Sequence, residues 1–111
     1  MVKNSKVAII IVHWKKYNMT ANCIESVIEC NYPNYEIILV DNESDASKVS
    51  IFKSRKNVKT ILNSKNEGFS KANNQGIEYA LKNNFDYILL LNNDTAIKSN
   101  LIDVLIKTAQ A

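Results

Sequence analysis

The chain has 111 residues, 46% of them hydrophobic and 23% charged, with a formal net charge of +3. That is one domain at most, large enough to bury a core and ordinary in composition for a soluble globular protein. The lysines are dispersed, which favours solvated faces over a nucleic-acid patch, and two glycines and one proline exclude a linker or low-complexity tract.

The first predicted element is Val7 to Val12, a continuous apolar run expected of a strand buried on both faces of a parallel sheet. It is far too short to span a bilayer, and the residues before it lack the layout of a signal peptide. A cytosolic domain is the expectation, membrane-associated only as part of a longer chain. From about Met19 to Glu29, Met19, Cys23, Ile24, Val27 and Ile28 fall on one helical stripe. Cys23 and Cys30 are roughly 10 Å apart along that helix, beyond disulfide reach, and read as core or helix-surface thiols.

Pro33 punctuates the turn before a second strand, Glu36 to Val40, which ends at Asp41. A short polar helix is expected over Asp45 to Ser54 and a third strand over Val58 to Leu62. The next helix should run from Ser70 to Lys82, burying Phe69, Ala72, Gly76, Ile77, Ala80 and Leu81. Tyr87 to Leu91 reads as a fourth strand, again buried on both sides. Ser99 is the expected N-cap of a last helix carrying Leu101, Ile102, Leu105 and Ile106 inward. This β-α alternation argues for an α/β fold of three layers, α/β/α, with a mostly parallel sheet; strand order is not legible in it.

Open α/β sheets bind ligands beyond the carboxyl ends of their strands. The informative residues are therefore His13, Trp14 and Lys15 after the first strand, and Asp41, Asn42 and Glu43 after the second. Asn63 to Phe69 follow the third, and Asn92, Asn93 and Asp94 the fourth. No G-x-G-x-x-G follows the first strand, and no G-x-x-x-x-G-K-[ST] occurs, so the common phosphate cradles are missing. A divalent cation held by one or two carboxylates and by substrate phosphates is the natural substitute. A receiver domain, also β-α alternating, would need an acidic pair after the first strand, where His13 and Trp14 stand.

Three segments carry a resemblance: Val40-Asp41-Asn42-Glu43-Ser44, Asn66 through Ile77, and Leu89-Leu90-Leu91-Asn92-Asn93-Asp94-Thr95. In order, spacing and context they resemble the successive motifs of family 2 glycosyltransferases, most closely of rhamnosyltransferase type, over about residues 6 to 110. The resemblance implies a GT-A fold and transfer of a sugar, with inversion, from a nucleotide diphosphate to the hydroxyl of an acceptor glycan or lipid-linked saccharide in polysaccharide biosynthesis. It implies that Asp41 contacts the base, that Gly68 and Lys71 close over the nucleoside, and that His13 and Trp14 flank base and ribose. Asn42, Asn92 and Asn93 join them, and Asp94, the last acid of a D-x-D motif, ligates Mn2+ or Mg2+.

Two departures stand out: Asn92 replaces the first acid of D-x-D, and Lys15 stands where many members carry Asn. The family's catalytic base and acceptor-binding residues belong to a later part of the domain. Residues 1–111 are therefore expected to be an incomplete, donor-binding N-terminal part with no catalytic residue, binding donor without useful turnover. An edge left open beyond the fourth strand would favour homo-oligomers. The alternative function is a non-catalytic nucleotide-binding or assembly module. Blander roles remain open for single residues: a turn acid at Asp41, a cap at Asp94, a packed ring at His13, a solvated Lys71 and a close helix-sheet contact at Gly76.

Overall fold

The computed structural model describes residues 4–42, 52 and 55–110. Its elements, in chain order, are β1 (Val7–His13), α1 (Tyr17–Glu29), β2 (Tyr35–Asp41), β3 (Val58–Leu62), α2 (Phe69–Lys82), β4 (Tyr87–Asn92) and α3 (Leu101–Gln110). Apart from Phe52, the helix expected over Asp45 to Ser54 lies outside the described residues, as do Glu43 and Ser44. Among the described residues no helix is long and apolar enough to cross a membrane.

The four strands form one parallel sheet in the order β3-β2-β1-β4. The two central strands are the β-branched runs, because only a strand covered on both faces can bury every side chain. All seven residues of β1 are buried, as are the last five of β2. Alternation along the strands sorts the core into two layers. Val7, Ile9, Ile11, Ile37 and Leu39 pack against Cys23, Ile24 and Val27 of α1 and Ile102 of α3. Ala8, Ile10, Val12, Ile38 and Val40 meet Ala72 and Ala80 of α2 on the opposite face. The architecture is the expected α/β/α sandwich.

Close approach of α2 depends on one position. A Cβ built on Gly76 would lie 2.6 Å from Cγ2 of Ile10, itself fully buried. Several side chains depart from the expected pattern, all for reasons of packing. β4 is an edge strand, half-buried rather than enclosed, because the Ala72-Gly76-Ala80 stripe of α2 covers β1 and β2 and leaves Ile88 and Leu90 uncovered. The same narrow stripe leaves Phe69 and Leu81 exposed. On α1 the buried residue of the first turn is Thr20, not Met19, and on α3 Leu105 is exposed. The last helix starts at Leu101, preceded by Asn100 rather than by the expected cap Ser99, and the Val104 N–H donates to the Asn100 carbonyl.

Candidate functional site

The carboxyl ends of the strands are joined into a rim. His13 and Asp41 are register partners on β1 and β2, and Val12 pairs with Asn92 on β4. Beyond the ladder, the N–H of Asn42 donates to the His13 carbonyl at 2.8 Å, and that of Asn63 to the Asp41 carbonyl at 2.9 Å. The chain passes from β1 outward through β2 to β3, then returns to the other side of β1 as β4. Strand order therefore reverses at β1, and a ligand crevice is expected above its end.

A groove of about 260 Å³ lies there. Its walls are the indole of Trp14 and the ring of Phe69, 44% and 60% exposed, and its polar lining comes from Asn42, Asn66, Asn93 and Lys16. Solvated aromatic rings facing a crevice offer stacking surface, since neither is needed to fill the core. The volume is below the roughly 300–1,000 Å³ of pockets for drug-sized ligands, so it suits one part of a larger ligand. Trp14 is turned out at the end of β1 by Lys15, whose φ of 60° is left-handed. Asn adopts that conformation several-fold more readily than Lys, so the backbone here suits the Asn that the resemblance leads one to expect better than the Lys15 that stands in its place.

An amide network positions the opposite wall. Nδ2 of Asn63 donates to Oδ1 of Asn42 and to Oε1 of Gln75, each at 2.8 Å, and Nε2 of Gln75 returns a bond to Oδ1 of Asn63 at 2.9 Å. Oδ1 of Asn42 also accepts from the Glu67 N–H at 3.4 Å. Asn42 and Asn63 are buried, so each unpaired amide would cost desolvation energy, and the network favours one arrangement of the loop from β3 to α2. Gly68 ends that loop at φ 86° and ψ 159°, a region open almost only to glycine.

The turn after β4 presents the last rim residues. The Thr95 N–H donates to the Asn92 carbonyl at 3.1 Å, Nδ2 of Asn93 donates to Oγ1 of Thr20 at 3.1 Å, and Sγ of Cys23 reaches the Asn92 carbonyl at 3.5 Å. Burial, reinforced by the negative charge of Asp94, pushes the Cys23 thiol up to about 11, so it stays a protonated, weak donor. Cys23 and Cys30 are buried free thiols. Asp94 is exposed and follows the groove residue Asn93 in the chain, and the described residues contain no group of three His, Cys, Asp or Glu able to enclose a metal.

Of the residues singled out in the sequence, Trp14, Asn42 and Asn93 meet at the groove, with Asn92, Asp94 and Gly68 beside it. Lys71 projects from the first turn of α2 and pairs with Glu67 at 3.1 Å. His13 and Asp41 lie behind the rim, both buried. The His13 ring packs on Tyr17 and Phe52, at centroid distances of 4.6 and 5.3 Å, and burial holds its pKa down at about 4. It is a neutral packed imidazole, not a groove residue. Sequence reasoning named Asn63 and Phe69 among the residues beyond the third strand, but gave Asn63 no organising role and also set Phe69 on the buried face of the helix; it missed Thr20 and Gln75. Gly68 immediately before a helix start was a usable signal for Phe69; nothing local marks Thr20 or Gln75.

Residues 8–111 match the family described as Glycosyl transferase family 2. An uncharacterized glycosyltransferase of Rickettsia bellii is 30% identical over 109 residues, which are 96% of this chain and 15% of that protein. The glycosyltransferase GlyG of Streptococcus pneumoniae is 28% identical over 108 residues, 94% of this chain and 35% of GlyG. The chain thus spans about a third or less of the length of these relatives. Two solved structures share the fold. The mannosyltransferase PcManGT of Pyrobaculum calidifontis, solved with GDP-Man and Mn2+, superposes with a TM-score of 0.82 at 15% identity, over 96% of this chain and 32% of that one. TarS of S. aureus, residues 1–349, gives a TM-score of 0.80 at 17% identity, over 95% and 32%.

Proposed function

The chain belongs to glycosyl transferase family 2, and from that premise we propose that it binds the nucleotide-sugar donor of an inverting transferase. The observation that carries the proposal is the groove between Trp14 and Phe69 at the point where strand order reverses. In this reading the two rings take the base by stacking, while Asn42, Asn92 and Asn93 bond base and ribose. Gly68 and Lys71 close over the nucleoside. His13 and Asp41, behind the rim, hold the strand ends that carry Trp14 and Asn42.

The donor set around Asp94 fits a cation shared with a ligand rather than a cage made by protein alone. One exposed carboxylate follows Asn93, and Mn2+ or Mg2+ is commonly held by one or two carboxylates with phosphate oxygens completing the shell. When bound, such a cation offsets the charge that builds on a departing diphosphate. The PcManGT structure, solved with GDP-Man and Mn2+, supports testing this pair of ligand classes first.

In the transfer itself an acceptor oxygen bonds to the anomeric carbon as the bond from that carbon to the diphosphate oxygen breaks, with inversion. The acceptor's proton passes to a base that we assign to no residue of this chain. Its own residues orient the leaving group, and donor binding precedes any transfer. Rhamnosyl specificity and an acceptor glycan or lipid-linked saccharide of polysaccharide biosynthesis are the finer parts of the proposal, supported by the motif resemblance. The open edge of β4, flanked by exposed Ile88 and Leu90, is proposed to pair with a second copy of the chain.

The deciding experiment is calorimetric titration of a panel of nucleoside diphosphates, with and without Mn2+, on the wild type and on Asp94→Ala. Metal-dependent binding that is lost in the variant is the expected result. Absence of diphosphate binding, or binding indifferent to both metal and Asp94, overturns the reading.

A further inference from the structure

We infer that Thr20 is a positioning residue for the acidic turn: its buried hydroxyl, shared between the His13 ring and the Asn93 amide, sets how Asn93 and Asp94 meet the groove. Thr20 lies in the first turn of α1 and is fully buried. Its Oγ1 is 2.5 Å from Nδ1 of His13 and 3.1 Å from Nδ2 of Asn93, a residue 73 positions later in the chain. A threonine hydroxyl donates once and accepts twice. The count closes if the O–H donates to Nδ1 and an oxygen lone pair accepts from Asn93. The neutral state of the buried imidazole agrees with Nδ1 acting as acceptor.

Neither partner can easily drift. The His13 backbone is held by its pairing with β2, its neighbour Val12 pairs with β4, and the His13 carbonyl accepts from Asn42. Its Nε2 has no hydrogen-bond partner among the described residues, so Thr20 is the polar contact that orients the ring there. With Nδ2 of Asn93 engaged below, Oδ1 of the same amide is left for the groove, which Asn93 lines. Further bonds from α1 hold the same segment: Cys23 to the Asn92 carbonyl, and the Ile97 N–H to Oγ of Ser26 at 3.1 Å. Asp94 lies between these anchored points. An apolar residue at position 20 would pack as well in the core but would leave the Asn93 amide and the His13 nitrogen facing it unbonded.

The consequence for ligands rests on the donor-site reading above, whereas the positioning does not, and the test separates them. Amide hydrogen exchange is measured by NMR on the wild type, Thr20→Val and Thr20→Ser. Loss of the Thr20–Asn93 hydrogen bond, one of the two that T20V removes, should raise exchange of the Thr95 amide, which closes the turn onto Asn92, on the order of tenfold. T20S should stay within about twofold of the wild type, and Ile10 amide exchange in β1 should not change. Asn93→Ala removes the other end of the same bond from a half-buried site and should reproduce the T20V effect if T20V folds poorly. Unchanged Thr95 exchange in both T20V and N93A, or a T20S variant as perturbed as T20V, overturns the inference. In the same samples, Mn2+-dependent affinity for a nucleoside diphosphate should fall about fivefold to tenfold in T20V and return in T20S. If the wild type binds no diphosphate, the donor-site reading fails while the exchange data still decide the role of Thr20.

Discussion

Nδ1 of His13 sits 2.5 Å from the hydroxyl oxygen of Thr20, with the imidazole packed against the rings of Tyr17 and Phe52, which themselves stack at a centroid distance of 6.2 Å. A residue expected at the ligand is instead part of the wall behind it. Its chemistry has a consequence for stability. Burial lowers the His13 pKa from 6.5 to about 4, so the folded state resists a proton that the unfolded chain accepts. The stabilisation is complete above about pH 6.5 and is lost as pH falls from there through about 4, by at most about 3 kcal/mol. Urea titrations between pH 4 and 7 should show that slope, and His13→Phe should flatten it. An identical slope in the variant would assign the acid sensitivity to other groups.

The two glycines should respond differently to alanine. At Gly76 the new Cβ would meet Ile10 at 2.6 Å, so Gly76→Ala should destabilise by about 1–3 kcal/mol through overpacking of α2 on β1. At Gly68 nothing lies within 4 Å of the built Cβ, and the penalty comes from the backbone at φ 86°, about 1–3 kcal/mol. A companion change, Ile10→Ala, which removes Cγ2, the atom nearest the built Cβ, should cost less when added to G76A than when added to G68A. Denaturant melts of the four variants measure this directly.

Asn63→Ala should lower stability by about 1–3 kcal/mol, because it leaves the buried amide of Asn42 and that of Gln75 short of partners. The loop that carries Asn66 and Gly68 should become more exposed to exchange. Melting curves with hydrogen exchange over residues 63–69 test it; a stable variant with an unaltered loop would show that the network does not hold the groove wall.

Trp14→Ala and Phe69→Ala remove exposed rings, so folding stability should change little, within about 0.5 kcal/mol. If the rings stack on a base, each truncation should weaken nucleoside diphosphate binding by about 1–3 kcal/mol, roughly fivefold to 150-fold. Equal affinity in wild type and both variants would remove the base from this groove.

The open edge of β4 leads to a measurement of size. Sedimentation at rising concentration should reveal self-association of the wild type, weakened by Leu90→Lys, which puts a charge on the exposed face of the edge strand. A wild type that stays monomeric at high concentration would leave that edge without the proposed partner.

The order and type of the described elements were legible in the sequence because they depend on local period. Val7 to Val12 and Glu36 to Val40 are runs that only enclosed strands tolerate, and both became the central strands. The polar clusters after each strand followed from the same reading, whereas the motifs at Asp41-Asn42, Asn66 to Ile77 and Asn92 to Asp94 were legible only through their resemblance to a known family. Tertiary structure alone decided which side chains face the groove. Periodicity reports burial relative to an element's own axis, not what lies across from it. Enclosure on both faces was expected along all of β4, yet the narrow face of α2 leaves Leu90 at 51% exposure. Phe69 fits a helical stripe but stands one turn before the point where α2 touches the sheet, so it joins Trp14 at the crevice. Thr20 meets Asn93, and Asn63 meets Gln75, through hydrogen bonds that no local pattern announces, since a polar residue becomes an organiser only when packing removes water from around it.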